Sequence, residues 1–137
     1  MNLMIINGPN LNLIGSREIQ IYGAKTFDEY FEKITRKYVQ VNLTYFQSNI
    51  EGELIDQIQN AKVDGVIINA GGYTHTSVAL RDCIAATEVP VIEVHLSNVA
   101  SRESFRHESL ITPVSKGCIM GFGLESYELA MYYFLNR

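Results

Sequence analysis

The chain has no tryptophan, only two cysteines and only three prolines. Cys83 and Cys118 lie far apart and form no C-x-x-C pair. That excludes a disulfide framework and a zinc ribbon, and both residues read as reduced core thiols. No low-complexity tract, internal repeat or Pro/Gly/Ser linker interrupts the 137 residues, so residues 1–137 are expected to form a single domain. Apolar runs stay short, as in Val66-Ile67-Ile68. None approaches the ~20 residues of a membrane span. The opening Met1-Asn2-Leu3-Met4-Ile5-Ile6-Asn7 lacks a basic flank and is too short for a signal peptide, which points to the cytoplasm. A basic excess is also missing. Eleven Lys and Arg against fifteen Asp and Glu give a charge of −4, with nothing to grip a phosphate backbone, so no nucleic-acid partner is expected. The three histidines, His75, His95 and His107, show neither H-x-H nor H-E-x-x-H spacing. A catalytic zinc usually takes two ligands close in sequence, so no metal is expected.

What is present is a hydrophobic fraction of 47%, enough to build an ordinary core. It is distributed as alternating strands and helices. Leu3 to Asn7 reads as a buried strand closed by Gly8-Pro9. Thr26 and Glu29 form a capping box ahead of the helical stripe Phe27, Tyr30, Phe31, Ile34 and Tyr38. Val41, Leu43 and Tyr45 alternate as a strand. Ser48 and Glu51 suggest a second capping box before Leu54, Ile55 and Ile58. Val66-Ile67-Ile68 is a third strand, and Thr76 or Ser77 caps a helix through Leu80 and Ile84. Pro90 leads into a fourth strand, Val91 to Val94. A short helix is expected over 101–105, a fifth strand at Cys118-Ile119-Met120, and a closing helix through Tyr127, Ala130, Met131 and Phe134. The pattern predicts an α/β fold with a doubly wound five-stranded parallel sheet in the order 2-1-3-4-5.

In that topology ligands bind at the carboxyl ends of the strands, where the winding reverses. Those ends carry Asn7-Gly8-Pro9-Asn10, Asn69-Ala70-Gly71-Gly72-Tyr73-Thr74-His75, and Glu93 followed by His95-Leu96-Ser97. Asn10, Asn69, His75, His95 and Ser97 should therefore face one crevice. Taken singly, Asn and Ser there are turn formers and His75 pads a helix start. Three adjacent strand ends loaded this way point to a site. The first connection, residues 8–25, is long for its class, and long connections are often lids or binding loops. It carries Arg17 and Tyr22, with Gly15 and Gly23 as hinges. It contains neither G-x-G-x-x-G nor G-x-x-x-x-G-K-[ST], and the chain has no G-x-S-x-G, so dinucleotide, triphosphate and serine-hydrolase readings lose their support.

Three blocks in order resemble the type II 3-dehydroquinate dehydratases. They are Asn7-Gly8-Pro9-Asn10-Leu11-Asn12-Leu13-Ile14-Gly15-Ser16-Arg17-Glu18 with Tyr22-Gly23, then Ile68 through Asp82, then Glu93-Val94-His95-Leu96-Ser97-Asn98 with Arg102, Phe105 and Arg106 beyond. Ala70 stands where that family most often has proline. The resemblance implies a flavodoxin-like fold and dehydration of 3-dehydroquinate to 3-dehydroshikimate through an enolate. It implies no cofactor and no metal, and a homododecamer of four trimers in which Asp82 reaches a neighbour's site.

A β-hydroxy ketone losing water needs a base, an oxyanion stabiliser and a general acid. The resemblance makes Tyr22 the base. A free phenol has a pKa of about 10, so poising it near 7 takes ~4 kcal/mol of phenolate stabilisation. Burial works against that, and the Arg17 guanidinium is the cation that would outweigh it. Asn10 would orient a water or donate to the enolate oxygen, and His95 would protonate the departing hydroxyl with Glu93 on the same strand face. Asn69, His75, Leu96, Ser97 and Arg106 would hold the substrate. The residues alone leave a second assignment open, with His95 as base, since a histidine is already near the right pKa; the resemblance favours Tyr22. A different class of reading is a non-catalytic flavodoxin-like module binding a small carboxylate or a flavin. Such a binder has no need of a base–acid pair.

Overall fold

The computed structural model describes residues 1–16 and 25–137. Five parallel strands make one sheet in the order β2-β1-β3-β4-β5, as predicted. They are β1 (Asn2–Asn7), β2 (Asn42–Gln47), β3 (Gly65–Asn69), β4 (Val91–His95) and β5 (Gly117–Met120). The helices are α1 (Phe27–Lys37), α2 (Glu51–Asn60), the single turn α3 (Tyr73–Thr76), α4 (Val78–Ala86) and α5 (Glu125–Leu135).

Alternation along the central strands sorts their side chains into two cores. Leu3, Ile5, Ile67, Ile92 and Val94 pack with α1 and α5 through Tyr30, Ile34, Tyr127, Met131 and Phe134. Ile6, Val66, Ile68 and Val91 pack with α2 and α4 through Leu54, Ile58, Leu80 and Ile84. The same parity carries to the strand ends. Asn7 and Asn69 continue the α5 side, and Glu93 and His95 continue the opposite side.

The helix starts test the capping signals. Thr26 caps α1 by accepting from Glu29 N at 3.2 Å, and Ser77 caps α4 by accepting from Leu80 N at 2.9 Å. The second capping box does not form. Ile50 is the residue before α2 and gives no side-chain cap. Ser48 sits in the turn ahead, where its hydroxyl accepts from Ile50 N and donates to the Glu53 carboxylate. Val41 precedes β2 because its N–H closes a turn onto Tyr38 O. The helix expected over 101–105 is two 3-10 turns, Val99–Ser101 and Ser104–Arg106, separated at Arg102 by extended backbone.

Two backbone features bring β1 and β3 together at the crevice. A Cβ on Gly8 would stand 2.5 Å from the Ala70 carbonyl oxygen, so only glycine admits this approach. Gly8 N donates to Asn69 O at 2.7 Å, and Gly71 follows with φ at 59°. Asn10 is itself left-handed, at φ 69°, a region that asparagine tolerates.

Candidate active site

The strand ends enclose a cleft of about 190 Å³. Asn10 from the first connection, Asn69 at the end of β3, His75 on α3, and His95, Leu96 and Ser97 at the end of β4 all line it. Arg102 and Arg106 close it from the 3-10 turns. The expected convergence of Asn10, Asn69, His75, His95 and Ser97 is therefore found. Arg17 and Tyr22 lie outside the described residues. Asp82 is exposed on α4, paired with Arg81 at 3.0 Å, and is not among the residues lining this chain's cleft. Leu80, Cys83 and Ile84 turn inward on that helix and leave Arg81 and Asp82 on its outer face.

Glu93 is 0% exposed and His95 8%, and His95 Nε2–H donates to Glu93 Oε1 at 2.6 Å. Ser109 Oγ donates to the same oxygen at 2.8 Å, Thr74 Oγ1 at 3.4 Å, and Thr112 Oγ1 donates to Oε2. Burial alone would raise this carboxyl's pKa, but the hydrogen bonds from His95, Thr112 and Ser109 outweigh it and hold the group below its ordinary range. Glu93 is thus a buried carboxylate. It fixes Nε2 as the protonated edge of His95, and the ring lines the cleft with a counter-charge behind it.

His75 is locked in the same way. Its Nδ1–H donates to the Glu108 carbonyl at 2.6 Å, which leaves Nε2 as an acceptor. Asn10 is held through its backbone, whose N–H donates to Asn49 Oδ1 at 3.0 Å. Asn49 in turn receives Gln47 Nε2, and its carbonyl accepts from Tyr73 OH. Arg106 Nε donates to Glu103 at 2.7 Å, and its guanidinium stacks on Phe105 at 5.0 Å.

Sequence reasoning placed Tyr127 on the closing helix and missed its hydroxyl. That hydroxyl accepts from Asn69 Nδ2 at 3.3 Å and donates to Asn7 Oδ1 at 2.7 Å. Asn69 Oδ1 accepts from Gly71 N at 3.2 Å, so both ends of the amide are assigned. Burial raises the Tyr127 pKa far above the ordinary phenol value, so the group stays a hydroxyl. A fully buried tyrosine OH needs a partner, and two asparagines in register at Asn7 and Asn69 were the available signal. Arg102 was quoted just beyond the third block but given no role. Its i, i+4 spacing from Arg106 after a polar strand end was the clue.

The family model for class II dehydroquinases matches residues 1–135. A 3-dehydroquinate dehydratase of Campylobacter jejuni is 56% identical over 135 residues, covering 96% of this chain and 85% of that protein. One from Bacillus licheniformis is 48% identical, covering 98% of this chain and 96% of that one. A crystal structure of a type II dehydroquinase from Butyrivibrio crossotus superposes with a TM-score of 0.95 at 43% identity, covering 99% and 98% of the two chains.

Proposed function

The chain belongs to the class II dehydroquinase family, and on that premise we propose how its residues remove water from 3-dehydroquinate. It is a 3-dehydroquinate dehydratase, a hydro-lyase of the shikimate pathway. The observation that carries the residue assignment is the buried Glu93–His95 pair, 2.6 Å apart, on the wall of a cleft lined by neutral amides and two arginines. That arrangement supplies a proton carrier at a fixed orientation, and a site that only binds a carboxylate or a flavin does not require it.

The reaction runs without metal or organic cofactor. In the role the family resemblance gives it, Tyr22 as phenolate, with the Arg17 charge to stabilise it, takes the proton next to the ketone and leaves an enolate. Asn10 donates to the enolate oxygen directly or through a water, a contribution of ~3 kcal/mol for one preorganised donor. The C–O bond then breaks, and His95 gives the proton on Nδ1 to the departing hydroxyl while Nε2–H stays on Glu93, so that water leaves and the enone forms. The phenol proton and the empty imidazole position re-equilibrate through solvent. Asn69, His75, Leu96, Ser97 and Arg106 bind the substrate's hydroxyls and carboxylate. Arg102, beside Ser97 Oγ at 3.5 Å, adds positive charge at the same wall.

The test is incubation with 3-dehydroquinate in the presence of a chelator, following enone absorbance. Product is expected, and its absence would overturn the activity. Tyr22→Phe should abolish turnover while binding of a product-like ligand is retained; a near-normal rate would remove Tyr22 as base.

Two further statements rest on the family resemblance. The protein assembles as a dodecamer of four trimers, which sedimentation velocity tests. It works in the cytoplasm, which fractionation tests; no helix among the described residues is long and apolar enough to cross a membrane.

A further inference from the structure

Beside the catalytic cleft lies a second cavity of about 270 Å³, and His75, His95, Val99 and Arg106 line both. Glu93, His107, Thr112, Cys118 and Met120 line the second cavity and not the first. Cys118 on β5 is in register with Glu93 on β4, and the thiol is half-buried. One carboxylate oxygen of Glu93, one ring nitrogen of His95 and Cys118 Sγ all lie within 4.8 Å of one another.

We propose that Glu93, His95 and Cys118 form an inhibitory site for a thiophilic divalent cation of the zinc class, entered from this second cavity. Zinc binds nitrogen and oxygen at about 2.0–2.2 Å and sulfur at about 2.3 Å, so tetrahedral ligands stand roughly 3.3–3.8 Å apart. The 2.6 Å contact between Glu93 and His95 must open by less than the width of an atom, and the widest pair must close by about 1 Å. Charge balances as well. The dication meets one carboxylate, one thiolate and one neutral imidazole, and the net charge buried is zero. Coordination expels the thiol proton to solvent, as metals do for bound thiols, and the imidazole binds through a nitrogen that then carries no proton. Ser109 and Thr112 already orient Glu93 by hydrogen bonds, which is the support a ligating carboxylate needs. The fourth position faces the cavity and takes water.

The consequence follows from which residue is taken. A cation on Nε2, the nitrogen that faces Glu93, leaves the ring one proton, on Nδ1, and bars the second proton that makes it an acid, so turnover stops although the substrate walls stand. The functional readout rests on the dehydratase reading, and the binding readout does not.

The experiment titrates the intact enzyme with Zn²⁺ and, separately, with Co²⁺, whose thiolate ligation gives a charge-transfer band. Zn²⁺ should inhibit reversibly on chelation, and Co²⁺ should show the thiolate band. Cys118→Ala should keep its metal-free activity, lose the band and raise the inhibitory Zn²⁺ concentration at least tenfold. Cys83→Ser should behave as the unaltered protein. Absence of the thiolate band, or equal inhibition of Cys118→Ala, would overturn the site. A band in a protein that turns over no 3-dehydroquinate even with chelator would instead overturn the dehydratase reading and leave the site standing.

Discussion

A carboxylate at zero exposure survives only if donors replace its water, and Glu93 has four side-chain donors. Their sum depresses its pKa in the folded protein, so the group stabilises the fold above the unfolded value near 4.5 and loses that contribution as pH falls through the lower folded value. Glu93→Gln keeps the shape and removes the titration. At neutral pH the variant should be less stable by about 1–3 kcal/mol, the cost of replacing charged hydrogen bonds in a buried site. Below pH 4.5 the difference should shrink, because there the unfolded chain's carboxyl takes up a proton that the folded one resists, and it should vanish below the lower folded value. Urea unfolding at a series of pH values measures both. A difference that stays constant through the acid range would show that Glu93 does not titrate differently on folding. Activity should fall as well, since His95 would lose the counter-charge behind its proton.

At the scale of elements, α5 reaches the site without lining it. Its Tyr127 hydroxyl accepts from Asn69 on β3 and donates to Asn7 on β1, and this fixes which way the Asn69 amide is turned. Tyr127→Phe leaves the buried ring and its edge contact with Phe27 in place, at 5.1 Å between centroids. It removes two hydrogen bonds, each worth about 1 kcal/mol. The amide then keeps only its bond from Gly71 N and is held less firmly. KM should rise several-fold while kcat changes little, and Tyr127→Ala should instead unfold the protein readily. Equal loss of kcat and kcat/KM in the phenylalanine variant would assign Tyr127 a different role. This relay marks where sequence reading stops. Short apolar runs, alternation and the period near four residues identified every strand and every long helix among the described residues, and the loaded strand ends pointed to the cleft. Side-chain partners across the sheet were out of reach, because Tyr127 and Asn7 meet across most of the chain's length. The failed cap at Ser48 has the same origin. S-x-x-E describes a spacing, and the turn at 48–50 diverts the hydroxyl to Glu53.

The whole molecule places its cleft where the winding of the sheet reverses, between the ends of β1, β3 and β4, and leaves apolar side chains such as Phe122, Tyr132 and Leu129 exposed beside the β5 edge and along α5. Asp82 stands on the outer face of α4, beyond the walls of its own cleft. If it serves a neighbouring subunit, each working site takes His95 from one chain and Asp82 from another. Two crippled variants can then repair each other. Asp82→Ala chains keep their own His95, and His95→Ala chains still offer Asp82 to a partner. Subunits mixed at random in equal amounts around a closed ring would make roughly a quarter of the sites whole, each pairing an Asp82→Ala chain with a His95→Ala neighbour. Co-expression, or unfolding and refolding of the two together, should restore about that share of native activity, while each variant refolded alone stays near its own low rate. Mixed refolding that yields only the average of the two parents would confine Asp82 to its own subunit.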